Sequence, residues 1–486
     1  MPDATRERQP RRLDPAALLY NLMMTLIAPG LLLWAALRIV RRKRRDGFAE
    51  RVGALPAAVA ALGASGDPVV WVHCASVGEV NAAAPILREL RVCMPLAHIV
   101  LSTMTPTSQE AARKRELGVD AIFYFPIDAP VIMARALDTV NPTVLVLVET
   151  EVWPNLLWMA RQRGTRTMIV NGRISDRAFP RNRALLPVYR WALSHVDVVW
   201  AQSQLDAERF IALGADPAVV AVGGNSKFDE VPVQLLPAEA ARWRQEFGFA
   251  DDDQVLLAGS THEGEEEIVL SVFDHLRFSH RNLQLIIAPR HPERGDRVHQ
   301  LVREHGYDVY RRSHVLQARA AGQEIAAPTA GAVRVAILDT IGELASLYGC
   351  ADLVIVGGSL VKGLSGHNVL EPIAQGKLAL FGRHTSAFRD ISAIAVREGC
   401  GVQVQSAEEL QEQCDRLLNA PEEREAAAAR GTRMLEKYAG ASARYAQAIA
   451  EAAERAEPPV VGPTAPPGDG AHPDEPPHVP APTEPS

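Results

Sequence analysis

The chain has 486 residues, 47% of them hydrophobic, which is enough for two ordinary domains with extensions. Its formal net charge of -7 argues against a general nucleic-acid binder, although the start is strongly basic and the last stretch acidic and proline-rich. The five cysteines, Cys74, Cys93, Cys350, Cys400 and Cys414, are scattered without CxxC or Cys/His spacing, so they read as reduced cytosolic residues, neither disulfides nor metal ligands.

No charged residue interrupts Ala16 to Leu37, and about 20 apolar residues suffice to cross a bilayer. Arg38, Arg41, Arg42, Lys43, Arg44 and Arg45 follow at once, which places the downstream side in the cytoplasm if the segment spans. Asn21, Thr25, Pro29 and Gly30 leave an interfacial or kinked segment open, and Arg6, Arg8, Arg11 and Arg12 weaken the asymmetry. Residues 1–46 are therefore expected to form a membrane anchor.

Short apolar runs then alternate with helical patterns: VVWVHCAS from 69, HIVLSTMT from 98, AIFYFPI from 121, TVLVLVETE from 143, RTMIVNGRIS from 166 and VDVVWAQS from 196. After a break near Glu230 to Pro237 a second series follows: QVLLAGS from 254, LQLIIAPRH from 283, VRVAILD from 333, ADLVIVGG from 351, KLALFG from 377 and GVQVQS from 401. Each series predicts an α/β, doubly wound, Rossmann-like parallel sheet, one over 47–232 and one over 233–440, facing each other across a cleft. Arg312 to Gly331, rich in alanine with turn signals, reads as a loop insertion. Residues 441–456 read as a closing helix, and the tail 457–486 as disordered.

Four glutamates share one spacing at expected helix starts: Ser76 with Glu79, Ser260 with Glu263, Thr340 with Glu343, and Asn368 with Glu371. Each pair suits a capping box, a structural role. Their recurrence near the carboxyl ends of strands suggests a lined cleft as well. After the run Leu353–Val356, glycines 357, 358, 363 and 366 allow close backbone approach to a ligand before the turn at Asn368–Pro372. Between Arg161 and Arg190 eight arginines face one acid, Asp176, a solvated surface or a grip for an anionic substrate. Trp153 and Trp158 beside them read as core or interface.

Taken together, WVHCASVGEVNAA, STMTPTSQE, FYFPID, VETEVWPNLL, NGRISDRAF, GNSKFD, AGSTHEGEEE, IIAPRHPER, DTIGELASLYGCAD and GGSLVKGLSGHNVLEP resemble the 3-deoxy-D-manno-octulosonic acid (Kdo) transferases of lipopolysaccharide synthesis. These are inverting glycosyltransferases of the GT-B fold, and the match spans most of residues 17 to 440. One departure is Ser365, where the family usually carries a glycine. The resemblance implies transfer of Kdo from CMP-Kdo to a tetraacylated lipid A precursor at the cytoplasmic face of the inner membrane, with an N-terminal anchor and without a bound metal or other cofactor.

By motif, Glu79 looks like the general base for the acceptor hydroxyl. Burial in a cleft would raise its pKa while a helix start would lower it, and sequence leaves the net sign open. Glu149 and Lys227 match the charged residues that steady the transition state, Glu149 favouring positive character at the anomeric carbon and Lys227 offsetting the departing CMP phosphate. Pro289 and Arg290, Gly342, Glu343 and Leu344, and Asn368, Val369, Leu370 and Glu371 resemble the CMP pocket, with Arg290 gripping phosphate and Glu371 accepting from ribose hydroxyls. His291 and His367 are either ligand contacts or hydrogen-bonded structural histidines. A sugar-nucleotide epimerase or another GT-B transferase would share the two-sheet cleft, as would a membrane-tethered nucleotide-binding protein without turnover.

Overall fold

The computed structural model describes residues 15–26, 47–232, 234–322 and 334–456. Two seven-stranded sheets result, every pairing in them parallel. The first contains β1 (Val69–Cys74), β2 (His98–Thr103), β3 (Ala121–Tyr124), β4 (Val144–Val148), β5 (Arg166–Gly172), β6 (Val198–Ala201) and β7 (Val220–Val222), in the order β3-β2-β1-β4-β5-β6-β7. The second contains β8 (Gln254–Thr261), β9 (Leu283–Pro289), β10 (Asp308–Arg311), β11 (Arg334–Ile337), β12 (Leu353–Val356), β13 (Ala379–Gly382) and β14 (Gly401–Val404), in the order β10-β11-β9-β8-β12-β13-β14. The central strands are buried on both faces by helices, which is why they read as unbroken apolar runs. Chain direction across each sheet reverses once, beside β1 and β4 in the first and beside β8 and β12 in the second, and such points open crevices at the carboxyl ends of strands.

Two edge strands, β7 and β10, lie outside the twelve apolar runs. Each is short and only partly buried, so neither needs a long apolar signature. The expected loop insertion at Arg312 to Gly331 is corrected over its first part: Arg312–Ala320 is a helix. Val315 anchors it in the core, and the buried Arg312 ties it to Glu343 at 2.6 Å and to Glu246. The rest of that insertion, from 323 onward, lies outside the described residues.

The last helix among the described residues, Ala441–Glu454, leaves the second half and packs against helix Val77–Cys93 of the first. Asp229 caps its start, accepting from Gly440 N at 2.5 Å and Ser442 N at 2.7 Å. Ala441, Tyr445, Ala446 and Ile449 thereby join the core around β1 and β4.

Residues 15–26 form a helix lying on the first half. Tyr20 donates to Asp128 at 3.0 Å, Asn21 and Asn155 pair through their amides, and Ala17 and Tyr20 pack against Trp191. Leu18, Leu19, Leu22 and Leu26 face outward and are more than half exposed. Twelve helical residues rise only about 18 Å, short of the roughly 30 Å hydrocarbon layer. Among the described residues no helix is long and apolar enough to cross a membrane. The remainder of the expected anchor, from 27 on, and the tail 457–486 lie outside the described residues.

Candidate active site

Ser76, just beyond β1, caps helix Val77–Cys93 by accepting from Glu79 N at 3.2 Å, and the Glu79 carboxylate turns back to accept from Ala75 N at 2.5 Å. The capping geometry leaves Glu79 only 6% exposed, beside Glu149 at the end of β4 and Glu151 two residues on. Burial is the largest influence, the charges of Glu151 and Glu149 add to it, and two backbone N–H groups oppose it. The net result is a pKa pushed up to about 8, so burial outweighs the helix start. Backbone strain accompanies this arrangement: Glu149 (φ 62°), Asn171 (φ 53°) and Ser260 (φ 57°) are non-glycine residues in the left-handed region, all at carboxyl ends of strands.

Lys227 sits in the single turn Ser226–Asp229 after β7. Asn225 accepts from Lys227 N at 3.0 Å, and Ser226 Oγ donates to Ala82 O at 2.8 Å, which joins this turn to the helix that carries Glu79. Burial lowers the pKa of the Lys227 ammonium, Glu149 raises it and Arg173 lowers it further.

A cavity of about 630 Å³ separates the halves. Gly78, Asn81 and Lys227 line it from the first half, and Ser260, Arg290, Ala345, His367, Asn368, Glu371 and Phe388 from the second. Lys227, Arg290, Asn368 and Glu371 thus meet on one cavity. Glu79 lies beside its wall, between the lining residues Gly78 and Asn81. Pro289, Val369 and Leu370 are buried behind it, where they hold their neighbours in place. Glu343 is drawn to Arg312, which holds its carboxyl below the usual range against the effect of burial. Gly342 and Leu344 flank it.

Three expectations about these loops change. Glu263 is exposed, and Glu265 takes the inward place because Gly264 (φ 89°) resets the helix start. The fully buried Glu265 carboxylate accepts from Gly358 N at 2.7 Å, Ser359 N and Leu360 N at 2.9 Å each, and His262 N at 2.9 Å. Those N–H groups of the glycine loop are therefore satisfied within the protein and do not cradle a phosphate. Nor does Glu371 complete a capping box: Asn368 Oδ1 accepts from Leu370 N at 3.2 Å, while its amide contacts the Glu371 carboxyl at 3.4 Å. Burial raises the Glu371 pKa, against Asn368 and Arg290. Gly358 (φ 69°) needs its glycine, since a Cβ there would meet His367 at 2.6 Å. Ser365 is exposed and absent from the left-handed region, so it replaces a glycine without backbone strain.

Of the eight arginines, Arg161 pairs with Asp197 at 2.5 Å and Arg163 with Asp138 at 2.9 Å, which makes these two structural. Sequence reasoning missed Glu151, His73, His262 and Phe388. His73 is fully buried, its ring centre 4.0 Å from that of Phe125 and tilted by 35°, with Nδ1 2.9 Å from Ser102 Oγ and Nε2 3.9 Å from Glu151. Burial pushes its pKa down to about 3, so it stays neutral. His262 and His367 face each other Nε2 to Nε2 at 2.8 Å, so one donates and the other accepts. The signals available were the second acid of ETE and the histidines of WVHC and THEGEEE.

A family model described as 3-deoxy-D-manno-octulosonic-acid transferase (kdotransferase) matches residues 46–230. The chain is 34% identical over 355 residues to a bifunctional glycosyltransferase/methyltransferase of Fusobacterium nucleatum, covering 73% of this chain and 53% of the relative, so it spans about half that relative's length. A glycosyltransferase structure from Rickettsia africae matches with a TM-score of 0.53 at 12% identity, covering 80% of this chain and 99% of that one, a likeness of fold alone. Over 446 residues the chain is 32% identical to a 3-deoxy-D-manno-octulosonic acid transferase of Haemophilus influenzae, covering 90% of this chain and 98% of the relative. With both halves inside that alignment, the chain belongs to the 3-deoxy-D-manno-octulosonic acid transferase family.

Proposed function

We propose that this glycosyltransferase moves Kdo from CMP-Kdo to a hydroxyl of a lipid A precursor, with Glu79 as general base. The observation that carries the reading is the Glu79 carboxyl, buried beside two further carboxylates at the wall of the cleft, with its proton affinity raised toward the working range. A base of ordinary acidity would take up little of the proton that an attacking alcohol releases. Inversion at the anomeric carbon follows if the deprotonated hydroxyl attacks from the first half while CMP departs into the second. Lys227 and Arg290 meet the departing phosphate, Glu149 favours positive character at the anomeric carbon, and Asn368 and Glu371 orient the nucleotide. These cations supply the countercharge that a metal would otherwise provide, so turnover is expected to survive EDTA.

The lipid-borne acceptor implies work at the inner membrane surface, with both halves on the cytoplasmic side. Supporting this are the outward leucines of helix 15–26 and the exposed Arg177, Arg181, Arg183 and Arg190 on the neighbouring surface. The test is Kdo transfer to lipid A precursor in membranes by wild type and Glu79→Gln. A loss of about 10²- to 10⁴-fold in kcat is expected. A Glu79→Gln enzyme as fast as wild type would remove Glu79 from the mechanism.

A further inference from the structure

One segment of the second half reaches across the cleft. Its near end rests on the glycine loop: Ala387 N donates to Ser365 O at 2.8 Å, and Thr385 packs against Gly366. Its far end touches the first half twice. Arg173 Nη2 donates to Ser386 O at 2.6 Å, and Arg389 Nη1 meets Asp176 Oδ1 at 2.6 Å, with Asp176 also held by Arg209. Between these two ties the Phe388 ring lies 4.7 Å from Lys227 Nζ.

We propose that Phe388 is a positioning residue for Lys227, its ring held across the cleft by the Arg173–Ser386 and Arg389–Asp176 contacts so that the ammonium is fixed where the leaving phosphate departs. The inference rests on the reading of Lys227 given above and adds to it. A lysine side chain has four rotatable bonds and needs a partner to stand in one place. A carboxylate partner would neutralise the charge that the phosphate requires. An aromatic face attracts the ammonium through its quadrupole while leaving the charge and the N–H donors free for an anion. Because the ring comes from the second half, Lys227 is held in place only while the halves are together.

The experiment is a double-mutant cycle on the full chain, with steady-state kinetics in CMP-Kdo. Phe388→Leu is expected to lower kcat about tenfold while the KM for CMP-Kdo stays within about twofold, and Phe388→Tyr, which keeps the ring, to restore most of the rate. In a Lys227→Met background Phe388→Leu should cost nothing further, since the group it positions is gone. Thermal unfolding of each variant separates folding defects from positioning. An undiminished tenfold loss in the Lys227→Met background, or a change confined to KM, would overturn the proposal while leaving Lys227 in its role. A fully active Lys227→Met enzyme would instead remove that role, and this inference with it.

Discussion

Glu79 is held at its raised pKa by neighbours that can be changed one at a time. The groups facing it are the carboxyls of Glu149 and Glu151 and the N–H groups of Ala75 and Ser76. If Glu79 is the base, as proposed, it must be ionised to act, and activity should climb with pH toward about 8. Glu151→Gln removes one repelling charge, so the acidic limb of kcat against pH should move to lower pH; an unmoved limb would separate Glu151 from the base. Stability has the opposite slope. The folded pKa of about 8 lies above the ordinary 4.5, so the native state binds the extra proton in that window and loses stability as pH rises through it. Glu79→Gln, never charged, should therefore melt above wild type near pH 8.5 and level with it only below the ordinary 4.5, as calorimetry can check. The Ser76–Glu79 spacing made this residue legible in the sequence. Glu151 and His73 were not, because their importance comes from burial among β1, β3 and β4, and no local spacing records which strands lie side by side.

At the scale of a single element, the turn after β12 depends on a carboxylate 93 residues earlier in the chain. Glu265 accepts four backbone N–H bonds in a fully buried place, so Glu265→Gln turns an amide donor toward donors. The expected cost is about 2–4 kcal/mol in denaturant unfolding, accompanied by a higher KM for CMP-Kdo. A variant of unchanged stability would show that the loop holds itself. The glycines of this loop were visible in the sequence, but their use was not. They let the chain fold back onto an internal acid, whereas glycine-rich loops are commonly read as phosphate cradles. The shift from Glu263 to Glu265 has a similar cause, since the left-handed Gly264 takes the cap position expected of Ser260, starts the helix four residues later and exchanges the inward and outward acids. Helix Arg312–Ala320 escaped notice because its hold is a single valine and a buried arginine, not an apolar stripe.

For the whole molecule, the two sheets were legible because parallel strands buried on both faces advertise themselves as apolar runs. The edges β7 and β10 were not, since each is short and mostly unburied and so carries little apolar signal. The meeting of the halves was least legible, being made of pairs such as Arg389–Asp176 that lie 213 positions apart. The return of helix Ala441–Glu454 to the first half has one more consequence. The second half is tethered by two strands of covalent chain, near 230–236 and near 440, so it can swing about the line joining those crossings but cannot drift away. Any opening of the cleft would therefore be that of a hatch on two pins. A protein cut off at residue 232 would lack part of its own floor, where Tyr445 and Ile449 belong, and should stay soluble only when a peptide corresponding to 441–456 is supplied alongside it.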